Sequence, residues 1–572
     1  MLRSVIVSVS IGLLVFSGWF DGPCATAQET VYLTGAWPAA SSSTRLTLRT
    51  SLALAESDAA AAADTLVLCP QPFIPALQPW LTYRRAQGHL IHVVSPTASA
   101  WGIKQQIRDI ARHGNLKSLL LIGDTPSADP RSIMSCIPTD YKPAKVISKY
   151  GSEPEIATDN SFADIDEDGL PDLALGRIPV DTPEDLTRQI AKIIEYEATA
   201  SGPWQRRINL VAGTGGFGQM TDSVIEQTAR RLITELIPSE FCTSMTYASW
   251  SSAYCPDPRE FAKTTIDRLN EGCLFWVYMG HGDARRLDYV RTPIGGYPIL
   301  RERDIGQVNC QNGMPIAIML ACYTGAFDLP KDCLSEQLVK QPGGPIAVLC
   351  GSRLTMPYGM GMLSVGLIEE YFDGERETLG EILLAAKRKL GVPDGAGEGL
   401  DDATHNEYRS KLKLLGETFS PSGEQLQTEA IEHVHLFHLL GDPLLRVARP
   451  ASIQLAAEPT DEGDRVVVTG SSPHAGQLLL ELVYCRDRFH ERPPRRREFT
   501  NDPDVLTEYA EIYQKANCRT VSEQSVEVAA GPFRVELEVP EWARGRCVVR
   551  GFLQDDEQRY ALGASDIKLE RR

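Results

Sequence analysis

The sequence predicts an α/β protein: a doubly wound, mostly parallel sheet in two subdomains, followed by an all-β sandwich. Three observations carry this. From residue 64 onward, short apolar runs without polar alternation recur, the signature of strands buried on both faces. Segments of helical period lie between several of them, and alternating strands and helices build a parallel sheet with helices on its faces. Beyond residue 450 the pattern changes to alternating, strand-like runs.

The elements follow in order. Residues 1–27 read as a signal peptide: Arg3, an apolar stretch from Val5 to Phe20, and the small-residue site Ala25-Thr26-Ala27. Residues 28–63, rich in Ala and Ser, read as a linker or pro-segment. An N-terminal α/β subdomain is expected over 64–205, with strands in "LIHVV" (90–94), "SLLLIG" (118–123) and "LALGRI" (173–178). In "TPEDLTRQIAKIIEYEA" Thr182 caps a helix and Pro183 opens its first turn. A second α/β subdomain over 206–450 holds "INLVAG" (208–213), "LFWVYMG", "PIAIMLA" and "IAVLCG" (346–351), with helices in "DSVIEQTARRLITELI" and "DPREFAKTTIDRL". The sandwich over 451–572 contains "RVVVTG", "QLLLELVYC", "FRVELEVP" and "CVVRGFLQ", interrupted by a charged insertion from Arg486 to Asn517.

Lys and Arg number 57 against 75 Asp and Glu, a formal charge of −18, which argues against nucleic acid as a partner. After the leader no stretch is apolar and long enough for a membrane span. The expected location is therefore outside the cytoplasm: secreted, at the cell surface or periplasmic. Of the 13 cysteines, Cys24 leaves with the leader; the others show no disulfide framework and no C-x-x-C pair, and most read as buried thiols.

Two apolar runs end in chemistry. "LFWVYMGHGDARR" stops at Gly280-His281-Gly282, and "PIAIMLACYTGAFD" at Ala321-Cys322. A cysteine nucleophile needs a basic partner that favours thiolate, and donors aimed at the oxyanion formed on attack. If both runs are strands of one parallel sheet, His281 and Cys322 emerge at one carboxyl edge. Gly280 and Gly282 allow a close backbone approach, and the Gly282 and Cys322 N–H groups are the candidate oxyanion donors. The other His-Gly pair, His113-Gly114, ends a helix-like segment and is a helix C-cap.

An apolar block ending in His-Gly and a later one ending in Ala-Cys resembles the caspase-like clan of cysteine peptidases, and within it the gingipain family, peptidase family C25. "DNSFADIDEDGLPDLALGRIPV" (159–180), "ACYTGAFDLPKDCLSEQLV" and "LLGDPLL" (439–445) resemble family segments. The resemblance spans roughly 64–450. It implies a caspase-like fold, a cysteine endopeptidase acting on protein or peptide through a thioester, and an immunoglobulin-like character for the module that follows. It also implies an acid that orients the histidine, in the loop after "INLVAG"; here Gly215 stands near that place, and Asp222 is the nearest carboxylate. Asp222 has three readings: support for His281, the floor of a substrate-binding pocket, or a cap for the following helix.

Three further motifs bear weighing. Asp164, Asp166 and Asp168 before Gly169 form the start of a calcium loop, with Asp172 a further ligand, and Leu175 at the twelfth position excludes an EF-hand; the segment reads either as a structural Ca2+ site or as a solvated acidic turn. His433, His435 and His438 in "HVHLFH" resemble a metallo-hydrolase motif without its aspartate, and read instead as a strand before a Gly-Asp-Pro turn. "GTGGFG" (213–218) is out of register for a dinucleotide loop, and no organic cofactor is expected. Two rivals to a hydrolytic endopeptidase remain at this level: a sortase-like transpeptidase, in which an amine resolves the thioester, and a catalytically silent surface adhesin.

Overall fold

Ten strands of one sheet set the architecture of the computed structural model: β1 (Thr65–Leu68), β2 (Ile91–Val94), β3 (Ser118–Ile122), β4 (Ala174–Ile178), β5 (Arg207–Ala212), β6 (Cys242–Tyr247), β7 (Phe275–Met279), β8 (Ile316–Leu320), β9 (Ala347–Gly351) and β10 (Phe437–Leu440). Their order across the sheet is β2-β1-β3-β4-β10-β9-β8-β7-β5-β6. The structure describes residues 62–570 apart from 127–134, 200–201, 216–233, 392–402, 421, 490–492, 494–495, 497 and 558. The expected signal peptide, nearly all of segment 28–63, and most of the expected helix from Asp222 lie outside the described residues.

Each half of the sheet is parallel within itself, but the halves run in opposite directions. β10 pairs parallel with β4 and antiparallel with β9. The mostly parallel expectation thus holds block by block, with one antiparallel junction at the centre. Along β7, Phe275 joins an apolar cluster on one face, with Leu210, Ile316 and Leu349, while Trp276 and Tyr278 join a cluster on the other, with Ala317, Met319 and Val348. Both faces are covered, which is why no polar alternation appears in these runs. β2 departs from the expectation: it lies at the sheet's edge, and its four residues are only half-buried. β6, at the other edge, is a strand the apolar-run criterion does not detect, because its CTSMTY sequence is polar.

The principal helices are α1 (Ile74–Ala86), α2 (Ala100–Ala111), α3 (Pro183–Ala198), α4 (Phe261–Asn270), α5 (Leu334–Lys340), α6 (Pro357–Phe372), α7 (Leu379–Gly391), α8 (Ala403–Phe419), α9 (Leu426–Leu436) and α10 (Pro503–Asn517). The Thr182 hydroxyl accepts from Asp185 N–H at 3.2 Å, so α3 starts where its cap predicts. "HVHLFH" is not one strand: His433 and His435 end α9, and β10 begins at Phe437. Every residue from Glu432 to Leu436 is buried, so the segment carries neither the two-residue nor the 3.6-residue alternation that would separate helix from strand.

Residues 451–569 form a five-stranded and a three-stranded sheet sharing one apolar core that includes Val466, Val468, Leu480, Leu482, Leu537 and Val549. The four quoted runs all lie in its strands. The charged insertion carries α10, which docks on the sheet's open edge. There the Asn517 side chain accepts from Met245 N–H at 2.7 Å and donates to Met245 C=O at 3.0 Å, pairing with β6 as a neighbouring strand would.

Candidate active site

β7 and β8 are adjacent and parallel, with Met279 opposite Leu320. Two residues beyond each lie His281 and Cys322, so equal register places both at one carboxyl edge on neighbouring strands. Both residues are partly exposed.

The glycines around His281 are required by proximity. A Cβ on Gly280 would stand 2.7 Å from the Tyr278 hydroxyl and 3.0 Å from Gly213 Cα; one on Gly282 would stand 2.9 Å from Thr324 Cγ2 and 3.1 Å from Cys322 O. The Tyr278 hydroxyl donates to the His281 carbonyl at 2.7 Å, and burial raises its pKa, keeping it protonated as a donor. Asp288 N–H also donates to that carbonyl, at 3.2 Å, as part of the hairpin that pairs Gly282 with Leu287. His281 and Asp288 are thus a hydrogen-bonded pair and Gly282 and Leu287 a non-bonded one, so the Gly282 N–H points away from its hairpin partner.

The turn after Cys322 is held from the next strand. Tyr323 adopts φ 57°, left-handed for a non-glycine residue. Its N–H donates to Arg353 O at 3.0 Å, and its hydroxyl donates to Glu153 at 2.8 Å. Arg353, just past β9, grips Asp328 with both Nη atoms at 2.8 and 2.6 Å. At the sulfur itself, Thr355 N–H donates to Cys322 Sγ at 3.2 Å. The sequence reading missed Thr355, Tyr278 and Arg353. Only the end of the "IAVLCG" run signalled that a third strand delivers residues here, and its adjacency to β8 is not written in the chain.

Asp222 lies outside the described residues. Gly215 is described and follows Gly213, whose N–H donates to Met279 O at 2.8 Å. The calcium-loop residues separate into two groups. Carboxylate oxygens of Asp164, Asp166 and Asp172 lie within 4.8 Å of one another, whereas Asp168 Oδ1 accepts from Leu170 N–H at 2.8 Å. Asp164 is 3% exposed and its Oδ1 has no hydrogen-bond partner; burial, first among the causes, raises its pKa. An orphaned buried carboxylate oxygen among two others suits a hard cation. A second acidic group, Asp124, Asp181 and Asp332, already holds an ammonium: Lys340 Nζ lies 2.8 Å from Asp181 and from Asp332.

His433, His435 and His438 do not converge on a metal. His433 Nδ1 bonds the Glu429 carbonyl at 2.7 Å and its Nε2 accepts from Met356 N–H at 2.9 Å, a neutral ring with both nitrogens used. All twelve described cysteines are free thiols, seven of them buried.

The stretches that resemble gingipain segments outside the His and Cys runs lie where strands of the sheet join. Arg177 is buried, with Nε and Nη2 on Asp159 at 2.7 and 2.9 Å and Nη1 on the Gly123 and Ile137 carbonyls. Gly176 admits no side chain, since a Cβ would meet Gly441 O at 2.4 Å. Asp442, of the Gly-Asp-Pro turn, accepts from Trp80 Nε1 at 2.5 Å and Arg84 Nη2 at 2.7 Å.

A thiol and an imidazole thus stand past neighbouring parallel strands at one carboxyl edge of an α/β sheet. The family model described as "Peptidase family C25" matches residues 58–448, well over half of the chain, and the chain belongs to that family of cysteine peptidases. It is 22% identical over 302 residues to gingipain R2 of Porphyromonas gingivalis, covering 50% of this chain and 36% of that protein. To a Lys-gingipain of the same organism it is 22% identical over 282 residues, 49% of this chain and 15% of the relative. The chain thus matches well under two thirds of these relatives' length. Among solved structures, the Arg-specific cysteine proteinase gingipain R (RGPB) gives a TM-score of 0.49 at 15% identity, covering 89% of this chain and 98% of that one. Latent dimeric PorU from P. gingivalis gives 0.32 at 15% identity, with 89% and 42% covered. Among the described residues no helix is long and apolar enough to cross a membrane.

Proposed function

We propose that the chain is a secreted cysteine endopeptidase. Cys322 attacks the scissile carbonyl carbon; the N–H groups of Gly282 and Cys322 hold the oxyanion; the intermediate collapses to a thioester as His281 gives its proton to the leaving amine. Water, deprotonated by His281, then releases the acid and restores the Cys322 thiolate beside protonated His281. The observation that carries this reading is the equal register of His281 and Cys322 past paired strands. Asp222, which follows β5 in the sequence, is the proposed substrate-binding carboxylate and the candidate source of any residue preference. A Ca2+ held by Asp164, Asp166 and Asp172 is proposed as structural, and the module after residue 450 as an immunoglobulin-like sandwich.

The test is cleavage of a peptide panel varied at the residue before the scissile bond, by the chain without its leader and by Cys322→Ala. Activity present in the first and lost in the second is expected; equal cleavage by both removes Cys322 from the chemistry. Cleavage by neither, after limited proteolysis of residues 28–63 as well, turns the reading toward the transpeptidase or the adhesin. In parallel, 1 mM-range chelator is expected to lower the thermal midpoint by a few degrees, and Asp164→Asn to abolish that difference. A midpoint indifferent to chelator and to added Ca2+ sinks the calcium proposal.

A further inference from the structure

The sulfur of Cys322 makes its hydrogen bonds on the side of β8 opposite the imidazole strand. Thr355 N–H donates to Sγ at 3.2 Å, the Thr355 hydroxyl lies 3.5 Å from it, and the Thr355 carbonyl oxygen 3.6 Å. Thr355 follows β9, which pairs with β8 on one side while β7 pairs with it on the other. The nucleophile therefore sits between two strand ends, one carrying His281 and one carrying Thr355.

A backbone N–H only donates, so it interacts more strongly with a thiolate than with a thiol. The hydroxyl can turn its proton toward the same acceptor. The carbonyl accepts an S–H proton and works the other way, but from the longest of the three distances. The balance favours negative sulfur.

The donor is also held in place, which matters because a contact made by a mobile loop would add little. Thr355 is buried, and its methyl lies where a Cβ on Gly351 would stand, 2.8 Å away. On its C-terminal side Met356 N–H is bound by His433 Nε2 at 2.9 Å. His433 is itself fixed by the Glu429 carbonyl, and the Glu429 carboxylate accepts from Gly359 N–H at 2.9 Å and from the Ser422 hydroxyl. On its N-terminal side Ser352 hydroxyl donates to Ala157 O at 2.8 Å, and Arg353 is clamped by Asp328. Residues 352–356 are thus anchored to three separate elements around one sulfur.

We propose that Thr355 is a further catalytic residue, its N–H and hydroxyl holding the resting Cys322 sulfur as thiolate, and that neutral His433 is the residue positioning it. This rests on the peptidase reading of Cys322. It gives a function to part of "HVHLFH", which is otherwise only core.

The experiment follows alkylation of Cys322 by iodoacetamide from pH 5 to 10 in the full chain without its leader, with the modified residue identified by peptide mass and exposed Cys518 as internal reference. Thr355→Val keeps the shape and removes the hydroxyl; Thr355→Ser keeps the hydroxyl and removes the methyl. For the wild type, Cys322 is expected to be alkylated faster than Cys518 at pH 7. Thr355→Val is expected to raise the midpoint and slow Cys322 alkylation at pH 7 about tenfold, the size of a lost bond to a charged group. Thr355→Ser is expected to stay within about twofold of the wild type, and His433→Phe to shift the midpoint in the same direction as Thr355→Val. A Thr355→Val profile superimposed on an activated wild-type profile overturns the role of Thr355 alone. Wild-type Cys322 reacting no faster than Cys518 overturns this proposal and the peptidase reading together. If Thr355→Val fails to fold, a Thr355→Ser variant slowed as much as an unactivated thiol overturns the role of the hydroxyl.

Discussion

At the scale of single residues, the site depends on what is missing as much as on what is present. Gly282 brings its backbone against Cys322 only because it lacks a Cβ; Gly282→Ala would push an atom to 2.9 Å from Thr324 Cγ2 and 3.1 Å from Cys322 O. Such contacts force the hairpin away and move the N–H assigned to the oxyanion. The expected result is a fall in kcat of about 100-fold or more, as for loss of one oxyanion donor, with far-UV circular dichroism unchanged. A variant of near-normal kcat would remove Gly282 from the mechanism. His281 and Cys322 were legible in the sequence because two apolar runs ended abruptly in reactive residues. Thr355 was not, since nothing in "GSRLTMPY" distinguishes one threonine from a helix-flanking loop residue.

At the scale of elements, the joint between β4 and β10 rests on buried charge rather than on a continuous ladder. β4 and β10 share one paired position, Leu440 with Arg177, and the joint is secured by Arg177 on Asp159 and by Arg84 on Asp442. Burial opposes the charge on Asp159, but Arg177 and its hydrogen bonds outweigh it and the carboxyl pKa is lowered. Arg177→Met leaves Asp159 buried and uncompensated, which costs about 3–5 kcal/mol. Urea unfolding is the measurement, and the double variant with Asp159→Asn is expected to recover much of the loss. A single variant as stable as the wild type would show that water or another cation reaches Asp159. The stretches "DNSF", "GRI" and "GDP" all reach this joint: Asp159 pairs with Arg177, Gly176 lies against Gly441, and Asp442 takes two donors.

At the scale of the whole molecule, α9 and β10 carry three imidazoles into the interior. Burial, the largest cause in each, lowers the His433 pKa, takes His435 to about 4 and His438 to about 3. The unfolded chain takes up protons at His435 and His438 near pH 6.5, whereas the native chain does so only near the lower values, and His433 is shifted in the same direction. Their contribution is therefore complete above about pH 6.5 and is lost as pH falls from there toward about 4. The urea midpoint is expected to drop steadily between pH 7 and pH 5, above the range where ordinary carboxylates titrate. A flat profile over that interval would mean that none of these rings is held neutral by the fold.

By itself the sequence determined the class: strands buried on both faces, a helix-bearing α/β body, a second all-β module, and one His-Gly and one Ala-Cys at strand ends. These follow from local composition and period, which a single chain records directly. Only the tertiary structure decided that β7 and β8 are neighbours in equal register, that the sheet reverses direction between β9 and β10, and that Thr355 reaches the sulfur from a third strand. Strand order and direction are settled by which buried faces and charges pair across long separations, as Arg84 does with Asp442. No window along the chain contains both partners of such a seam together with the strand they align.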